Sequence, residues 1–206
     1  MRRAFVLIPA CLLVLTACSA DKTGTPSPVS TVPTSQLPST GTTQVPGPGV
    51  PKVNSPIDIN KFLRAPCTTL STDQVTELLG ANATSKPDPS ASAPSCFWHA
   101  PGATQASVGV LFPPTNDLGL TSFYNARGKT YPFFKELAPI DGYPIVAFDA
   151  ARDRTSEGRC DVAVGTSDQT TVGISIAQSE AKISKKDPCD TARTIAAQVL
   201  DNVRKG

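Results

Sequence analysis

The sequence predicts a single small α+β domain, an antiparallel β-sheet packed with helices and closed by two disulfides. Three observations carry that prediction. Apolar residues alternate at Cys160, Val162 and Val164, and again at Val172, Ile174 and Ile176, with polar residues 166–169 between them. Two alternating strands joined by a short loop make a hairpin, and hairpins build antiparallel sheets. Helices with capping signals stand before and after the strands. Four cysteines, Cys67, Cys96, Cys160 and Cys189, remain once Cys11 and Cys18 near the N-terminus are set aside. An even number of cysteines in an exported chain reads as a disulfide framework.

The elements follow in order. Ser71-Thr72-Asp73-Gln74 is a capping box, with Ser71 as N-cap and Gln74 reaching back. Val75, Leu78 and Leu79 supply that helix's apolar stripe and Gly80 its stop. Residues 85–95, rich in Pro, Ser and Ala, read as a surface loop. Residues 96–99 read as a strand bounded by Pro101-Gly102. Val108, Val110 and Phe112 mark a second strand, which Pro113-Pro114 ends. Residues 117–127 read as a helix carrying Leu118, Leu120, Phe123 and Tyr124. Asp141-Gly142 reads as a turn between strands at 136–140 and 145–149. Asp187-Pro188 opens the last helix, where Cys189, Ala192, Ala196, Val199 and Val203 form one apolar face. The order is helix, strands, helix, strands, helix, with the helices expected on one side of the sheet.

The N-terminus has another character. Arg2 and Arg3 precede an apolar run over residues 5–15, too short to cross a hydrocarbon core of about 30 Å. The run closes on Leu15-Thr16-Ala17-Cys18, which looks like a bacterial lipobox. Residues 1–17 therefore read as a cleaved signal peptide, and Cys18 as a lipidated first residue of the mature chain. Each buried lipid methylene contributes about 0.8 kcal/mol, so two or three acyl chains would hold the protein on the extracytoplasmic face of the cell membrane. Residues 18–56 read as a disordered tether. From Ser19 onward this stretch has eight prolines, many Ser, Thr and Gly residues, and no aromatic residue, too little apolar area to offset its chain entropy. An O-glycosylated stalk and an unmodified spacer both fit that composition. The globular domain is expected over residues 57–206.

Charge excludes one class of partner. Removing Arg2 and Arg3 with the signal leaves 17 basic and 17 acidic residues, a neutral chain with no electrostatic footprint for nucleic acid. The four domain cysteines allow three pairings, and their spacing lacks the clusters that zinc requires. No cofactor motif is present.

Pro66-Cys67 before a capped helix ending in Leu78-Leu79-Gly80, the Cys96-Phe97-Trp98 strand, Cys160 opening a later strand and Cys189 in an Ala- and Val-rich terminal helix occur together. In that order and spacing the chain resembles the actinobacterial lipoprotein family called domain of unknown function 3558, over roughly residues 58–204. The resemblance implies envelope lipoproteins and a fold similar to the PsbP/Mog1 type. It also implies the pairings Cys67–Cys96 and Cys160–Cys189. It carries no catalytic residues.

Individual residues point the same way. His99 is the only histidine, and no nucleophile elbow accompanies it, so a Ser-His-Asp site has no support. Trp98 reads as a core anchor or a stacking surface for a ligand. Tyr124, Tyr131, Phe134 and Tyr143 gather in mid-chain near Lys129 and Lys135, and aromatics beside cations make binding surfaces. Trp98 and these four form the candidate binding surface. The function expected is a non-enzymatic binding or accessory module of the cell envelope. It would be joined to the membrane through its lipid anchor and would reach an envelope protein or wall polymer. The alternative is a carrier of a lipid or small apolar ligand in a domain cavity.

Overall fold

Two β-meanders make one sheet. In a computed structural model, which describes residues 44–88, 93–102 and 106–206, the first meander is β1 (Thr84–Pro87), β2 (Ser95–His99) and β3 (Ser107–Leu111). The second is β4 (Phe133–Ile140), β5 (Tyr143–Asp149), β6 (Arg159–Gly165) and β7 (Thr171–Ala177). The strand order is β1-β2-β3-β7-β6-β5-β4, antiparallel throughout, so the meanders meet only where β3 pairs with β7. The predicted turn is present: Asp141 and Gly142 both take left-handed φ, at 49° and 85°, as a two-residue hairpin turn requires. Residues 1–43, which hold the expected signal peptide, Cys18 and most of the expected tether, lie outside the described residues.

Successive strand residues face opposite sides, and here the two sides differ. On one, Cys96 and Trp98 of β2, Val108 and Val110 of β3, and Val162, Val172, Ile174 and Ile176 of the hairpin form the main core. Helix α4 (Pro188–Lys205) covers them. Asp187 caps it, accepting from the amides of Cys189 at 2.6 Å and Asp190 at 3.2 Å, and Pro188 sits where no amide is needed. Ile195 and Leu200 join the predicted stripe and are almost wholly buried. Helices α1 (Asn60–Arg64) and α2 (Thr72–Leu79) pack on the same core. The capping box of α2 is made: Gln74 N donates to Ser71 Oγ at 3.2 Å, and Ser71 N donates to Gln74 Oε1 at 2.8 Å. Asn202 of α4 ties α2 down by donating to Thr69 O at 2.9 Å and Gln74 Oε1 at 2.7 Å.

Both disulfides belong to this face. Cys67 pairs with Cys96 and Cys160 with Cys189, with Cα–Cα distances of 5.0 and 5.1 Å. Each closes a separation of 29 residues, and loops of that length give roughly 3–4 kcal/mol of chain-entropy stabilisation.

Four expectations are corrected. The helix expected over 117–127 is the shorter α3 (Leu120–Ala126), because Asn116 and Asp117 take φ of 48° and 59°, which no helix tolerates. That helix does not share a side with the others: Leu120 and Phe123 pack with Val146 and Ala163 on the opposite sheet face. The segment read as a loop from 85 contains β1, whose four residues are all exposed and so show no alternation. The domain also begins earlier than residue 57. Val53 is 4 % exposed, and its amide donates to Asp168 Oδ1 at 2.8 Å. Gly47 N donates to Thr121 Oγ1 at 3.0 Å and Tyr143 Oη to Ser55 O at 2.8 Å. Residues 44–56 thus form a strap on the domain, held by two isolated valines and backbone groups that Pro-rich composition hides.

Candidate binding groove

The sheet face opposite α4 holds a groove. Strand register sets one row of residues across it: Phe97 of β2, Gly109 of β3, Ser175 of β7, Asp161 of β6 and Phe148 of β5. With strands about 4.8 Å apart the row is about 19 Å long. Its middle is low, because Gly109, Gly173 and Ser175 place little or no side chain there. Its ends are high. A Cβ at Gly109 would run into the Phe97 ring, so glycine is what lets that ring lie down on the sheet. At the other end Phe123 of α3, Tyr131 and Phe148 form an aromatic wall. Their ring centroids are 5.7 Å apart for Phe123–Tyr131 and 4.8 Å for both Phe123–Phe148 and Tyr131–Phe148. The cavity between the two ends is about 280 Å³, with Leu111 and Pro113 on its rim.

Among the described residues Asp161 is the one charged residue in this lining, with 28 % of its side chain exposed. Burial pushes its carboxyl above the usual value, against the pull of the Ser175 hydroxyl and the Arg154 guanidinium. Arg154 is 3.8 Å from Asp161 but only 2.6 Å from Asp149. Burial also pushes the Asp149 carboxyl up, yet the amides of Ala151 and Arg152 and the Arg154 side chain hold it below the usual range. The Tyr131 hydroxyl titrates above its usual value because the ring is half-buried.

A larger hollow of about 390 Å³ opens at one end of the sheet, between Ile59, Leu63 and Phe112 and the Pro113-Pro114 turn. Among the described residues its one acid, Asp117, is exposed. Among the described residues no group of three or more His, Cys, Asp or Glu stands close enough to hold a metal ion. Nor is any described helix long and apolar enough to cross a membrane.

Over residues 13–202 the chain matches the model of a family described as a protein of unknown function (DUF3558). The chain belongs to the DUF3558 family. No curated protein and no solved structure matches it.

The candidate residues of this DUF3558 chain divide between the two faces. Trp98 is 3 % exposed and Tyr143 6 %, both in the helix-covered core, so neither offers a surface to a ligand. Trp98 shares its strand face with Cys96 and Tyr143 shares its own with Ile145, and packing claims both. Tyr131 lines the groove. Tyr124 and Phe134 stand beside it, edge to face at 5.1 Å, with the Arg127 guanidinium 5.2 Å from the Phe134 ring. Burial and the neighbouring Glu136 carboxylate push the Tyr124 hydroxyl up to about 12. Lys129 and Lys135 are exposed outside the groove lining, and His99 is exposed at the end of β2. Phe97, Phe123, Phe148, Asp161 and Ser175 were not singled out from sequence as site residues. The available signal was the alternate set of strand positions: Gly109, Gly173 and Ser175 are small where an ordinary covered face would be Val or Ile.

Proposed function

We propose that this protein is a non-enzymatic binding module of the cell envelope that takes a small ligand group into the aromatic groove. The observation that carries the reading is the groove itself: aromatic rings facing each other across a floor of glycines and serine, with a single half-buried carboxylate. Pockets that bind small molecules are mostly apolar with a few placed polar groups, and this one has that composition. The lipobox at Leu15-Thr16-Ala17-Cys18 supports lipid anchoring on the extracytoplasmic face, and two disulfides suit an oxidising compartment. The residues before 44 would then be a tether that lets the domain reach an envelope protein or wall polymer, and a PsbP/Mog1-type fold belongs to the same proposal. Carriage of a whole lipid is the weaker reading, because a cavity of about 280 Å³ is below the usual range for drug-sized ligands and has room for only a fragment of an acyl chain.

Native mass spectrometry of protein taken from the envelope tests it. A bound mass present on the wild type and absent from Ser175→Leu, which fills the groove floor, is the expected result. The same mass on both proteins would place the ligand elsewhere.

A further inference from the structure

We propose that the group taken into this groove is an organic cation, an alkylammonium carried on an apolar or aromatic body. The inference rests on the groove being the binding site and adds the chemistry of what it holds. Two features of the lining select a cation. One is the aromatic wall: Phe123, Tyr131 and Phe148 touch one another, and aromatic faces attract ammonium groups through the ring quadrupole. The other is Asp161, with no lysine or arginine among the described residues of the lining itself to cancel it.

The charges around Asp161 support this sign. Arg154 is bound to Asp149 at 2.6 Å and reaches Asp161 only at 3.8 Å, so one guanidinium is shared by two carboxylates. Arg159, two residues earlier on the same strand and face, is exposed and acts through water, where screening weakens it. Ser175 is the cross-strand neighbour of Asp161 on the floor, and its hydroxyl pulls the carboxyl toward its charged form. A bound anion would instead meet Asp161 at close range in a partly dry site. A neutral apolar group would displace water from that carboxylate and return no charge to it, which costs free energy. A cation is the occupant that gains from both the rings and the acid.

The test is an NMR titration of the purified full chain with three probes of matched body and different charge: phenylpropylammonium, phenylpropanol and phenylbutyrate. Amide shifts at Phe148, Asp161 and Ser175 report the groove. The expected result is a cation at least about tenfold tighter than the alcohol, the factor of one charge-assisted contact, with the anion weakest. Asp161→Asn should abolish the cation's advantage over the alcohol. Should that variant fail to fold, the salt dependence of the wild type decides: added salt should weaken the cation and not the alcohol. Equal binding of all three probes, or tightest binding of the anion, overturns the cation inference and leaves the groove as a binding site. Absence of groove shifts with every probe overturns both.

Discussion

The two faces of one sheet use the same strands to opposite ends. On the disulfide face Val110, Val162, Ile174 and Val172 interlock under α4 and are almost fully buried. On the groove face the neighbouring positions are Gly109, Asp161, Ser175 and Gly173, and Phe123 of α3 stands at one end of the groove they floor. Deleting methylenes from the first face leaves a cavity in a close-packed interior. The second face already contains the space. The difference teaches that close packing and open space are assigned here by residue parity along a strand, and not by separate regions of the chain.

The strongest way to break that comparison is to truncate each face in turn. Leu200→Ala, under α4, should cost about 2–5 kcal/mol. Phe97→Ala, half-exposed at the groove end, should cost clearly less, because its ring is only partly removed from water. Chemical denaturation of both variants checks this, and equal losses would show that the groove face carries the fold as much as the core does.

The strap sharpens the comparison, because it is bonded to α3 and to the loop after β6. Starting the chain at Ser55 removes the buried Val53 and the bonds of Gly47 and Val53. The expected loss is about 2–3 kcal/mol, or about 5–10 °C in melting temperature for a domain of this size. An unchanged melting temperature would return residues 44–54 to the role of a free tether.

The smallest effect concerns two acids that share Arg154. The Asp149 carboxyl titrates below its ordinary 3.8, so its stabilisation is present above that pH and is lost as pH falls through the depressed value. Asp149→Asn should lower stability at neutral pH by about 1–3 kcal/mol and flatten the loss in acid. Asp161 titrates above 3.8, so the folded state favours its protonated form, and that contribution fades as pH rises. Asp161→Asn should leave neutral stability unchanged or raise it slightly. Melting curves at several pH values between acid and neutral separate the two. A loss at neutral pH from Asp161→Asn equal to that from Asp149→Asn would mean that Asp161 serves the fold and not a ligand.

Much of the fold was legible locally. The capping box at Ser71 and Gln74, the Asp141-Gly142 turn, the hairpin of Cys160 and Val172 and the Asp187-Pro188 helix start all depend on neighbours within a few residues, and sequence shows such neighbours directly. The family resemblance supplied the disulfide partners. Of the groove, Tyr131 was anticipated, with Tyr124 and Phe134 beside it, because aromatics cluster visibly along the chain. Asp161 and Ser175 were not, because a polar residue alternating with Val and Ile looks like any solvent-facing position.

Tertiary structure alone decided the rest. Local signals build two meanders but do not say that β3 pairs with β7, and it is this pairing that brings Phe97 and Asp161 onto one row. Nor does the stripe of α3 say which sheet face it will cover. Residues of any amphipathic helix can bury against either side, and the choice falls to whichever side the other helices leave open. Val50 and Val53 are the same case at its simplest: two apolar residues without a period, whose burial is created by the surface they meet.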